Sequence, residues 1–285
     1  MAASNTSLTP SNSTDALFRL WGAAIKAALT AAGWTQTADT GQINWATVTA
    51  PVATNTAAGY EIWKMADGLT LWYLKIEYGS GGTVTYPAIW ITVGTGSNGG
   101  GTLTGQLSAR FQLAAAAQSA TTPGSCAFAG GTSWFGMSLW YDQSANQTVT
   151  LMIGRIRDTA GDEADTGVVV FGSSSAAHYH QVVPLTGSIL ALNTTTISPF
   201  WPMMTPPSGL TTSLVGTTVG VYTLHPFAQV HFPSILGGIA YFSGAPDISA
   251  YATFVVERYG VNHTYLALGT FTPCGTGMAL AMRYE

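Results

Sequence analysis

The chain has 285 residues and a net charge of −4, and only 8% of it is Asp, Glu, Lys or Arg, against 47% hydrophobic residues. Three lysines and no basic run exclude a phosphate-tracking surface, so no nucleic-acid partner is expected. Charge this sparse leaves Thr, Ser, Asn, Gln and backbone to supply the polar surface, and with nine tryptophans it points to a surface buried in an assembly.

Residues 1–13 are polar and turn-like and read as a flexible or docking arm. They lack a basic region followed by an apolar core, so they do not read as a secretory signal. Ser13 or Thr14 can cap a helix from about Asp15 to Ala32, with Asp15 at its positive end and Gly33 as its stop. Leu17, Trp21, Ala24, Ala28 and Ala31 form its apolar stripe, widened by Leu20, Ile25 and Leu29. Arg19 and Lys26 interrupt the apolar segment, which is mostly alanine, so no membrane insertion is expected.

A strand is predicted from about Ile43 to Thr49. From Tyr60 to Gly101, runs rich in Trp, Tyr and Ile are bounded by Asp67-Gly68, by Gly79-Ser80-Gly81-Gly82 and by Asn98-Gly99-Gly100-Gly101. Such punctuation marks consecutive antiparallel strands. If Asp67-Gly68 is a two-residue hairpin loop, Ala66 faces Leu69 and Trp63 faces Trp72. Leu103 to Leu113 alternates without a fault and predicts one strand, apolar on one side.

Ser133–Tyr141 and Thr148–Asp158 predict a further pair. On the second, Val149, Leu151 and Ile153 give way to Arg155 and Arg157, which suggests a strand leaving the core toward the acids Asp158, Asp162, Glu163 and Asp165. Later strands are expected at Val168–Phe171, Tyr179–Val183, Ser213–Leu224, Ala228–Phe232, Gly238–Phe242, Tyr251–Arg258, Asn262–Gly269 and Met278–Tyr284. Many short strands at regular spacing imply a mainly β fold, with antiparallel sandwich or jelly-roll-like sheets and one N-terminal helix. The expected organisation is the arm 1–13, a helix plus main β domain 14–197, a proline-rich loop 198–209, and a C-terminal β part 210–285 packed with the main domain.

The residues offer little catalytic pattern. His178 and His180 lie two apart on a predicted strand, so both imidazoles can face one metal ion. Val183 and Pro184 stand where a cupin-like site needs a glutamate, and the bland reading is two hydrogen-bonded histidines near Gln181. The acidic loop lacks the ligand spacing of an EF-hand. No G-x-S-x-G elbow or P-loop occurs, and no motif singles out a carboxylate pair. Cys126 and Cys274 read as buried thiols and not as a disulfide framework. The expectation is a protein without enzymatic activity and without a cofactor.

Phe200, Trp201, Met203 and Met204 stand in the segment SPFWPMMTPPSG, whose four prolines exclude a central strand. Four large apolar side chains on such a loop suit a subunit contact, and the N-terminal helix, with Trp21 and Arg19, is the second expected interface element. Aromatics on a β scaffold also suit sugar stacking, which keeps a host surface glycan as an alternative partner.

Seven stretches carry a family resemblance: FRLWGAAIKAALTAAGWTQTADTGQINWATV, AAGYEIWKM, LKIEYGSGG, PAIWITVGTGSNGGGTLTG, MIGRIRDTAG, GTTVGVYTLHP and ISAYATFVVERYG. Sampling most of the chain, they resemble virion structural proteins of tailed bacteriophages. The resemblance implies a repeated β-rich subunit on the tail, its tip or fibres, or the capsid surface, with copies of itself and other virion proteins as partners. It transfers no binding or catalytic residue.

Overall fold

The computed structural model describes residues 2–114, 124–139, 149–157, 163–173, 178–184, 190–194, 224–228, 235–243, 253–258, 261–270 and 278–283. The N-terminal half contains β1 (Ala2–Leu8), α1 (Asp15–Ala31), β2 (Thr35–Gln36), β3 (Ala57–Lys64), β4 (Tyr73–Ser80), β5 (Pro87–Gly94), β6 (Gly96–Ser97), β7 (Leu103–Thr104), β8 (Phe111–Ala114), β9 (Gly124–Gly131) and β10 (Trp134–Leu139). Then come β11 (Val149–Arg157), β12 (Glu163–Ser173), β13 (His178–Pro184), β14 (Leu190–Thr194), β15 (Leu224–Ala228), β16 (Ile235–Ser243), β17 (Thr253–Arg258), β18 (Val261–Thr270) and β19 (Met278–Arg283). The protein is mainly β, with antiparallel sheets and a single helix among the described residues.

Two sheets carry the architecture. The smaller runs β2-β3-β4-β5-β8. The larger runs β1-β9-β10-β11-β16-β19-β18-β17, with β12 to β14 branching from β11 and β15 from β16. Ile156 opposite Leu236 joins the C-terminal strands to the rest of the larger sheet. Inward residues of both sheets share one core with the helix: Trp63, Leu74 and Ile91 from the smaller, Phe128, Met137 and Ile153 from the larger, Phe18 and Ile25 from α1. This is a sandwich-like arrangement. In β4 the alternation of Leu74, Ile76 and Tyr78 inward with Tyr73, Lys75 and Glu77 outward makes the strand half-buried, as its sequence requires.

Several expectations are corrected. Within the N-terminal arm, Ala2–Leu8 form a strand on the edge of the larger sheet, because their backbone has a ladder partner in β9. No strand forms between Ile43 and Thr49, where a turn at residues 45–47 brings Trp45 into the core. The stretch from Leu103 to Leu113 is broken in two. Gly105 takes a φ of 85°, and Ser108 turns inward, its Oγ accepting from the Val93 N–H at 2.8 Å. Leu107 is thereby thrown outward at 39% exposure.

The hairpin register also differs. Trp63 pairs with Leu74, and the Met65 N–H donates to the Trp72 carbonyl at 3.0 Å. A two-residue type I′ loop needs positive φ at both central residues. Gly68 has it at 81°, whereas Asp67 does not, and the Asp67 side chain accepts from the Leu69 N–H instead. The loop widens, and the shift by two residues keeps every side chain on its expected face.

The helix starts as predicted: Thr14 is the N-cap, its side chain accepting from the Leu17 N–H at 3.2 Å. It ends in a Schellman arrangement, with Trp34 N–H to the Leu29 carbonyl and Gly33 N–H to the Thr30 carbonyl, Gly33 having a φ of 91°. Its buried face is Phe18, Trp21, Gly22, Ile25 and Leu29, and Leu20 is 49% exposed. Trp45 reaches up from below at Gly22, so the stripe rotates toward the one position with no side chain.

Candidate functional site

Of the residues expected at an interface, the structure places two. Trp21 is buried in the chain's own core, where its indole N–H donates to Asn12 Oδ1 at 3.2 Å, so it is not presented to a neighbouring subunit. Arg19 works within the chain too. Its Nε donates to the Val48 carbonyl at 2.6 Å and its Nη2 to the Thr47 carbonyl at 3.1 Å, with the Asp15 carboxylate 3.8 Å away. Asp15 in turn accepts from the Ala50 N–H at 2.8 Å. The pair straps segment 47–50 across the start of the helix. Phe200, Trp201, Met203 and Met204 lie outside the described residues.

His178 and His180 fall on β13, which is paired on both sides. Their register partners are Ser173 and Thr194 for His178, and Phe171 and Leu192 for His180. None of those four neighbours is a histidine, cysteine or carboxylate. Among the described residues no group of three or more His, Cys, Asp or Glu is placed to hold a metal ion.

The polar chemistry lies inside, around Glu61. It stands on β3 with Trp63 on its face and Met65 just past the strand's end, and it is fully buried. One carboxylate oxygen accepts from Trp45 Nε1 at 3.0 Å, with Lys26 Nζ at 3.7 Å. The other accepts from the Tyr78 hydroxyl at 2.8 Å and from Trp63 Nε1 at 3.3 Å. Trp45 meets Tyr78 edge-on at 4.8 Å and lies 5.5 Å from Phe18, which packs on Trp21. Burial pushes the Glu61 carboxyl above its usual range, against the pull of the Tyr78, Trp45 and Trp63 donors and the Lys26 charge. The same burial, with Glu61 beside it, raises the Tyr78 phenol well above its ordinary value. The arrangement can bolt a helix, the 43–48 segment and two strands together.

A second internal pair links the two sheets. Arg155 of β11 donates from Nε and Nη2 to the Asp67 carboxylate, the Nη2 contact being 2.8 Å, and also to the Thr70 carbonyl at 2.6 Å. Both side chains are almost wholly buried, at 1% and 3% exposure. The strand therefore does not leave the core at Arg155, which meets Asp67 and Thr70 of the β3–β4 loop; the side chains of Asp158, Asp162, Glu163 and Asp165 lie outside the described residues. Register does place Arg157 opposite Glu163.

No protein-family model, curated protein or solved structure matches this chain.

The outer face of the smaller sheet holds the remaining described cluster. Arg110 grips Glu77 with Nε at 2.7 Å and Nη2 at 3.3 Å, and its guanidinium lies 4.9 Å from the Trp90 ring. Lys75 sits 4.6 Å over Tyr60 and donates to the Gly101 carbonyl at 2.9 Å. Beside it Asp39 accepts from the Ser97 hydroxyl and from the Gly101 N–H at 3.1 Å. Burial pushes its carboxyl up, but those donors outweigh it and hold the group below the usual range.

Sequence reasoning missed the Glu61 bolt although a signal was present. Glu61 and Trp63 share one face of a strand, with Met65 just past its end, so a carboxylate had to enter the core there. Tyr78 and Trp45 are distant in sequence, and nothing local announces them as its donors.

Proposed function

We propose that this chain is a non-enzymatic structural component of a tailed-bacteriophage virion, placed in its tail, acting by self-assembly and by docking on other virion proteins. The observation that carries the reading is what the fold does with its few charges. The sequence has nine basic and thirteen acidic residues, and Glu61, Asp67 and Arg155 are turned inward. The outer surface is left poorer in charge than the composition already implied, which suits a surface covered by neighbours. The phage-like stretches, FRLWGAAIKAALTAAGWTQTADTGQINWATV and ISAYATFVVERYG among them, support the particle in which those neighbours would be found. The polar clusters support the non-enzymatic part, since their donors and acceptors face one another.

Light scattering on the purified protein tests the self-assembly. A stable symmetric oligomer is the expected result, and a strictly monomeric chain at every concentration would count against it.

A further inference from the structure

Strand β1 closes one end of the larger sheet almost entirely with backbone. It pairs with β9 along its whole length, from Ala2 opposite Gly130 to Leu8 opposite Gly124. Ala3, Ser4, Thr6 and Ser7 are exposed. Among the described side chains of β1, Leu8 alone enters the core, at 6% exposure. Just beyond, the chain is fixed. Asn12 donates its N–H to the Thr85 carbonyl at 3.0 Å and its side-chain amide to the Gly79 carbonyl at 2.8 Å, and it accepts from Trp21. Thr9, Pro10 and Ser11 lie between the strand and this anchor, and the proline ring keeps Thr9 extended.

We propose that β1 is an exchangeable arm: residues 2–8 of one copy pair with β9 of a second copy, and Leu8 fills the same core position there. The occupant is argued from the ladder itself. A second copy offers an identical β9, so each ladder hydrogen bond is replaced by its equal and the net cost falls on the hinge. The edge position means that no other strand has to move. A one-way exchange links copies head to tail, giving a ring or a filament according to the rotation at the hinge. The inference rests on the assembly reading and gives it a contact.

Thr6 stands opposite the native, buried Cys126. Directly opposed Cα atoms in an antiparallel ladder sit about 4.5–5.5 Å apart, inside the roughly 4.4–6.8 Å a disulfide spans. One full-length chain carries Thr6→Cys, Cys126→Ser and Cys274→Ser. The other carries Cys274→Ser only. After the two are mixed, unfolded, refolded together and oxidised, a 6–126 disulfide can join only different chains. The expected result is a covalent heterodimer on a non-reducing gel, with the linkage confirmed by peptide mapping. A single chain with Thr6→Cys and Cys274→Ser serves as control. If it closes only on itself at monomer mass and the mixture gives no heterodimer, the exchange is overturned. If no 6–126 disulfide forms in either sample, the ladder register is overturned and the proposal with it. Oligomers by light scattering that cross-link only within chains would sink the exchange and leave the assembly reading standing.

Discussion

Glu61 shows how a single charged side chain is kept in a core. Its carboxylate is met by two indoles, a phenol and, at 3.7 Å, an ammonium group, yet burial still tilts it toward the protonated form. Its folded pKa lies above the ordinary value of 4.5, so the native state holds this proton more tightly than the unfolded chain. The contribution of the group to stability is therefore fully present below that value and is lost as the pH rises through the folded pKa. The stability of the native protein minus that of Glu61→Gln should fall as pH rises across this window. Urea titrations of both proteins from pH 4 to 8 check it; a difference that grows with pH would refute the assignment. Arg155 and Asp67 make the complementary case. Removing one partner of a buried pair costs about 3–5 kcal/mol, because the other charge is left stranded.

At the scale of elements, helix α1 is fastened at both ends and in the middle. Thr14 caps it, Gly33 releases the chain into Trp34, and Asp15 with Arg19 straps the 47–50 segment over its first turns. The tightest point is Gly22. A Cβ there would stand 1.9 Å from the Trp45 ring. Ala is the better helix former by about 1 kcal/mol, but overpacking a filled core costs roughly 1–3 kcal/mol or more, and the clash wins. Gly22→Ala should lower the thermal midpoint; a neutral or raised midpoint would mean that Trp45 is not lodged against the helix. Local chemistry made the ends of this helix legible: a hydroxyl cap, an acid in the first turn, a glycine after the last. Its buried face was not legible, because the choice between Leu17 and Phe18 is made by a tryptophan more than twenty residues away. The β3–β4 hairpin repeats the lesson. Alternation gave the correct faces, but the loop length depended on Asp67 being drawn to Arg155 on the other sheet.

For the molecule as a whole, antiparallel strands punctuated by glycine were readable from the chain, and so was the single helix. The arm was not. AASNTSL carries almost no apolar signal, and it forms a strand because β9 offers a ladder at the edge. Polar segments that fold on a template show no periodicity of their own. The candidate interface was legible only in composition. Trp21 and Arg19 turned out to serve the chain itself, and the charge-poor surface became sharper once Glu61, Asp67 and Arg155 were seen to point inward. A surface of that kind, an edge strand held by one apolar side chain and phage-like sequence stretches are what support the proposal of a repeated subunit. The most direct test of the proposed virion role is quantitative mass spectrometry of phage particles purified from a lysate in which the chain is made, with tails and capsids separated. The account predicts peptides of this chain in the tail fraction at a fixed, multiple copy number. Their absence from washed particles, with the chain present in the lysate, would contradict it.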